Sequence, residues 1–146
     1  MQVVTIFIQN NKNENLIQKR SQSKGGKYGF TSGHAENNET NTQGAIREVK
    51  EELGIDIKEK QLNLFYRTKI NKTIYNLYYT KLNIDIKNIE LQKEEVEEVQ
   101  WFDLEETYQQ CSQHRDKFCV PLGGLQLVRE FIKNNNNNEY KGEKQS

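Results

Sequence analysis

The chain of 146 residues carries 21 Lys and Arg against 21 Asp and Glu, a formal net charge of zero that provides no basic field for a general nucleic-acid or anionic-membrane binder. Hydrophobic residues make up 34% and the mean hydropathy is −0.97, and no run approaches the roughly 18 apolar residues that span a bilayer. A chain of this length fits one domain with one core.

In chain order, Val3 to Ile8 reads as a strand; it lacks the basic segment and the length of a secretory leader. The polar NNKNEN is a turn, and Asn15 to Lys19 returns as a second strand. Lys19, Arg20, Lys24 and Lys27 suit a phosphate-rich ligand and a solvated hairpin equally well. Ser32, Gly33 and the polar run Glu36 to Thr40 read as a loop. Thr40 and Gln43 have capping-box spacing, and Ala45, Ile46, Val49 and Leu53 recur at helical spacing, with Gly54 as the stop. Ile55 and Ile57 then begin a new element. Leu62 to Lys69 and Thr73 to Leu82 are strands split by a turn around Asn71, and Val99 to Phe102 is a short strand. Asp103 caps a helix running through Glu106 toward Gln110, and Pro121 opens a last one along Leu125, Leu127, Val128, Phe131 and Ile132. Residues 134–146, NNNNNEYKGEKQS, have little to bury and are predicted to be disordered, which leaves a domain over 1–133. Cys111 and Cys119 fit a reducing, cytoplasmic location; with His114 they space as C-x2-H-x4-C, three ligands at ordinary spacing that read as a loop rather than a zinc site.

The helix after Thr40 carries Glu48, Glu51 and Glu52 on one side. Like charges at i, i+3 and i+4 destabilise a helix by about 0.2–0.5 kcal/mol per pair. The usual compensation is a hard divalent cation, which takes carboxylate oxygens. At about 100° per residue the apolar stripe of Ile46, Val49 and Leu53 lies roughly 130° from the mean direction of the glutamates, so the acids are predicted to face outward. A solvated, charge-laced helix is the competing reading, and the i, i+4 pair Arg47–Glu51 fits it.

The segment GHAENNETNTQGAIREVKEELGI decides between them. It resembles the Nudix box, G-x5-E-x7-R-E-U-x-E-E-x-G-U with U aliphatic, and Gly33, Glu39, Arg47, Glu48, Val49, Glu51, Glu52, Gly54 and Ile55 fill every specified position. The resemblance implies a Nudix α/β/α sandwich, a mixed sheet between helices. It also implies a hydrolase that uses Mg²⁺ or Mn²⁺ to split a diphosphate bond in a nucleoside diphosphate derivative or similar metabolite. By that analogy Glu48, Glu51 and Glu52 are metal ligands and Glu48 helps deprotonate the attacking water. Arg47 orients a neighbouring glutamate, Glu39 is an additional acidic member, and a backbone carbonyl of Ser32 or Gly33 completes the metal shell. A later acid is expected from a loop, and Glu95 is the candidate, beside Glu94, Glu97 and Glu98. His34, Arg20 and Tyr28 are the candidate substrate contacts. The partner is a small diphosphate, with no nucleic acid or membrane expected and a homodimer left open.

The run LIQKRSQSKGGKYGFTSGHAE is similar to the corresponding stretch of isopentenyl-diphosphate isomerases and their Nudix relatives. Those isomerases place a catalytic cysteine just before the glycine–histidine pair, where this chain has Ser32. A hydroxyl is a far poorer acid than a thiol, and the complete REVKEEL set is that of a hydrolase. The resemblance therefore implies an isomerase-like branch that hydrolyses, with isomerisation and non-catalytic nucleotide sensing as the alternatives.

Overall fold

The computed structural model of the chain describes residues 1–120 and 122–145, with the side chains of all of these except 122 and 136–145. Strands β1 (Gln2–Gln9) and β2 (Glu14–Arg20) form a hairpin. Its turn is held by Asn10, whose Oδ1 accepts from the backbone N–H groups of Lys12 (2.9 Å) and Glu14 (3.0 Å). Asn13 takes the left-handed conformation there (φ 60°), one that asparagine tolerates better than most residues. β3 (Tyr28–Gly29) pairs with β2, and β4 (Thr31–His34) crosses to pair antiparallel with the start of β1, from Val3 opposite His34 to Ile6 opposite Thr31. Ser32 and Gly33 are thus strand, not the expected loop. The sequence T-S-G-H has weak strand preference of its own, and the ladder to β1 imposes the conformation.

Helix α1 (Asn41–Leu53) follows, then β5 (Asn63–Ile70) and β6 (Thr73–Lys81), joined through Asn71 at φ 57°. β6 runs parallel to β1 along its whole length, and β7 (Val96–Asp103) lies antiparallel on β2. Helices α2 (Leu104–Gln113) and α3 (Leu122–Gln145) complete the chain; Asp103 caps α2, its Oδ1 accepting from Glu106 N–H at 2.9 Å.

Strand alternation sorts the core into two layers. Val4, Ile6, Ile8, Leu16 and Tyr78 pack against Ala45, Val49 and Leu53 of α1. Phe7, Ile17, Leu77 and Tyr79 face the other way, against Leu104, Cys111, Leu125, Val128 and Ile132 of α2 and α3. Val49 and Leu53 are fully buried, each contributing on the order of 1.5–3 kcal/mol by leaving water. The result is an α/β/α sandwich around a seven-stranded mixed sheet. Ile55 and Ile57 are buried under α1, yet the segment that carries them is not a strand: their apolar pattern comes from core packing in an irregular connection. Pro121, expected to open α3, lies outside the described residues. The backbone of α3 continues as helix to Gln145, and the disorder expected over 134–146 falls mainly on residues whose side chains lie outside those described.

α1 is fixed at both ends. At its start Thr40 Oγ1 accepts from Gln43 N–H (3.1 Å) and Gln43 Oε1 accepts from Thr40 N–H (2.9 Å), the complete capping box. Asn41 and Asn76 both donate to Gln2 Oε1, at 3.1 and 3.0 Å, which ties this end to β1 and β6. At its end Gly54 adopts φ 68°, and a β-carbon there would also press on Glu90. The carbonyls of Leu53 and Glu52 accept from Glu90 N–H (3.0 Å) and Gln92 N–H (3.2 Å), so the segment before β7 is strapped across the end of α1.

Candidate functional site

The acids of α1 and of the loop before it divide into an outer set, Glu39 and Glu51, and an inner set. Arg47 gathers the outer set and reaches one inner acid, Glu48: Nε lies 3.2 Å from both oxygens of Glu39, Nη2 2.8 Å from Glu39 Oε1, and Nη1 3.1 Å from Glu51 Oε2 and from Glu48 Oε1. Its Nη2 also donates to the His34 carbonyl at 3.0 Å. A planar fork with five donors can serve all these acceptors at once, which a lysine cannot. The Arg47 hydrogen bond holds Glu39 below the usual carboxylate range, helped by a backbone N–H from Glu36, and the bond to Glu39, with the Glu48 charge, pushes Arg47 up. Glu51 is exposed and touches only this arginine among the hydrogen bonds of the site.

The inner set is Glu48 and Glu52. Burial pushes Glu48 up, against the lowering effect of Arg47. Gly33 explains how Glu48 reaches its place: a β-carbon at that position would fall inside the Glu48 carboxyl group, so only glycine leaves room on β4. Glu52, expected to face outward, is 7% exposed. At about 100° per residue it sits roughly 60° from Val49, on the margin of the apolar stripe, and the helix is set down on the sheet so that this margin is covered. Burial, with the Glu48 charge added, pushes its carboxyl up to about 8. Its Oε1 accepts from Gln18 Nε2 at 3.3 Å, and its Oε2 is buried without a hydrogen-bond partner among the described residues.

Backbone geometry contributes as well. Opposed residues of an antiparallel pair alternate between exchanging both ladder bonds and exchanging none. Ala35 N–H donates to the Gln2 carbonyl (3.0 Å), whereas the His34 carbonyl leaves the ladder for Arg47. With that phase the Ser32 carbonyl, two residues earlier, also leaves β4 on the edge away from β1. The Ser32 hydroxyl is on the other face of the sheet, 3.2 Å from Thr5 Oγ1.

The remaining candidates are placed unevenly. Glu95 stands just before β7, 3.5 Å from Lys24 Nζ, and its charge together with that of Arg20 is felt at Glu52. Lys19 pairs with Glu97 at 3.0 Å. The His34 side chain is exposed. Tyr28 lies opposite Lys19 in register, on the face away from Gln18 and Glu52; it packs on Phe118, ring centroids 5.9 Å apart, and lines a cavity of about 240 Å³ with Ile17, Gln100, Phe102 and His114. Cys111 is buried with Arg115 Nη1 2.9 Å from its Sγ, while Cys119 is exposed. Sequence reasoning missed Gln18 and Thr31, both almost fully buried on the α1 side of the sheet. The available signal was strand period: Gln18 is a polar residue on the same face as Leu16.

Among the described residues, no three His, Cys, Asp or Glu side chains already converge as a metal-ligand cluster, because Arg47 spans the outer acids. The inner acids nonetheless fit a hard divalent cation. Two carboxylates destabilised by burial and by neighbouring acids (Glu48 acting on Glu52, Glu51 and Glu39 on Glu48), one with an oxygen lacking a partner among the described residues, form an all-oxygen donor set that gains from a positive charge.

Comparison with known proteins agrees with this architecture. The family model for the NUDIX domain matches residues 1–119. Uncharacterized Nudix hydrolases of Listeria monocytogenes and Listeria innocua are 32% and 34% identical over 71% and 68% of the chain, which spans 64% and 61% of their length. Among solved structures, the MutT protein of Methanosarcina mazei superposes with a TM-score of 0.67 at 22% identity, covering 92% of this chain and 94% of that one. The NUDIX domain of Shewanella oneidensis NrtR, complexed with ADP ribose, gives 0.68 at 15% identity over 92% and 87%. A Caenorhabditis elegans Ap4A hydrolase gives 0.60 at 19% identity over 91% and 98%. With its box complete and its fold shared, the chain belongs to the Nudix (MutT-type) family.

Proposed function

We propose that this chain is a divalent-metal-dependent hydrolase that splits a diphosphate bond in a nucleoside diphosphate derivative or a similar small metabolite. The observation that carries the reading is the inner pair: a half-buried Glu48 seated on Gly33, beside a buried Glu52 with an unpartnered oxygen. Glu48, Glu51 and Glu52, with the Ser32 carbonyl and Glu95 as further donors, would hold Mg²⁺ or Mn²⁺, which would supply positive charge for the diphosphate and for activation of water. Arg47 keeps Glu39, Glu48 and Glu51 in register, and its hold on the His34 carbonyl ties them to β4. Glu48, raised by burial, is the candidate base for the attacking water. Arg20, whose charge is felt at Glu52, is the candidate contact for anionic substrate at this site; His34, exposed on the Ser32 side of β4, and Tyr28, on the face away from Glu52, remain candidates only for parts of the substrate remote from the acids. That solved relatives of the same fold carry ADP ribose or act on Ap4A supports a nucleotide-derived substrate.

The isomerase alternative weakens further, since the Ser32 hydroxyl points to Thr5 and not to the side of Glu48. The test is release of phosphomonoester, read as inorganic phosphate after phosphatase treatment, from a panel of nucleoside diphosphate derivatives, with and without Mg²⁺ or Mn²⁺, in wild type and in Glu51→Gln, Glu52→Gln and Glu48→Gln. Metal-dependent release, abolished by the first two changes and severely lowered by the third, is expected. Full activity in both of the first two variants contradicts the assignment. Tight binding without turnover would favour a sensor, and double-bond migration in isopentenyl diphosphate an isomerase.

A further inference from the structure

Three elements that do not pair with one another meet beneath Glu52. Gln18 comes from β2, Thr31 from β4 and Glu52 from α1, with 2%, 3% and 7% of their surfaces exposed. β4 pairs with β1 and not with β2, so the sheet has a seam there, and the side chains close it. Thr31 Oγ1 donates to Gln18 Oε1 at 2.9 Å, and Gln18 Nε2 donates to Glu52 Oε1 at 3.3 Å.

The direction of these bonds matters. A primary amide has an acceptor end and a donor end. With its oxygen taken by the Thr31 hydroxyl, Gln18 presents its N–H to Glu52. That satisfies one carboxylate oxygen inside the protein and leaves Oε2 as the unpartnered one. Without this contact the carboxyl could rotate, or turn a protonated oxygen inward, and either change removes the free oxygen from the site.

Resting on the hydrolase reading above, we propose that Gln18 and Thr31 are positioning residues: the Thr31–Gln18 relay orients Glu52 so that Oε2 is delivered to the metal. Partners that orient ligating groups typically change metal affinity or activity by about 10–100-fold when removed. The relay accounts for why two polar side chains occupy core-facing strand positions where Leu16 and Ile6 set an apolar pattern.

The test is Mn²⁺ affinity of the substrate-free protein, read by electron paramagnetic resonance, with a thermal melt of each variant. Thr31→Val keeps the shape and deletes the hydroxyl, and Gln18→Leu deletes the amide. Each is expected to weaken Mn²⁺ binding by about tenfold or more. Thr31→Ser keeps the hydroxyl and is expected to retain most of the affinity. Wild-type affinity in a folded Thr31→Val overturns the relay, as does an equal loss in Thr31→Ser and Thr31→Val, which would mark packing alone. Should Gln18→Leu fail to fold, the two Thr31 variants still decide. Absence of Mn²⁺ binding in the wild type would instead overturn the hydrolase reading itself.

Discussion

Glu52 and Glu48 each occupy an unfavourable location that the proposed metal site would turn to use. A carboxyl raised from its ordinary 4.5 to about 8 binds its proton more tightly in the folded chain than in the unfolded one. The metal-free protein therefore loses stability as pH rises from about 4.5 to 8, by an amount on the order of a few kcal/mol, because folding must then bury a charge or retain a proton. Glu52→Gln removes that penalty while keeping the shape. Its melting temperature without metal is expected to exceed that of wild type at pH 8, with the gap shrinking by pH 5; equal melting curves at both pH values would contradict the buried-charge account. Gly33→Ala acts on the other member. The added methyl displaces the Glu48 carboxyl, and a misplacement of about 1 Å at a reacting group can lower turnover about a hundredfold. Turnover of this variant beside its melting curve distinguishes displacement from unfolding.

The elements differ in how far the sequence announces them, and for physical reasons. α1 was legible because its information is local: the Thr40–Gln43 box and Gly54 cap it as expected, and of the expected stripe Ala45, Val49 and Leu53 are buried whereas Ile46 is only partly covered. Thr40→Ala should cost about 1 kcal/mol in urea unfolding. Gly54→Ala should cost at least as much, since it meets both a positive φ and Glu90. β4 was not legible, because its strand character comes from β1, and neither was the burial of Ile55 and Ile57 without a strand. Glu52 was misread in one respect. A helical wheel gives its angle from the apolar stripe, but only the seating of α1 on the sheet shows that this angle is covered. Gln18 and Thr31 escaped notice because their partners are distant in sequence, and what they do depends on where β2, β4 and α1 meet.

At the scale of the molecule, the sandwich works by bringing one helix down on the diverging ends of a sheet. β4 and β2 take successive stretches of one edge of β1, so Thr31, Ser32 and Gly33 flank the seam between them from β4 and Gln18 and Arg20 from β2, with the acids of α1 above. The strap before β7 adds Glu95 to the same end. The cavity behind Tyr28 lies on the face of the sheet away from these acids. The most direct measurement is the anomalous scattering of a crystal soaked in Mn²⁺ with a non-hydrolysable diphosphate analogue. The account expects a manganese peak bonded to Glu52 Oε2 and to Glu48, with the analogue's oxygens on its far side. A crystal with the analogue bound elsewhere and no peak at these carboxylates would contradict it.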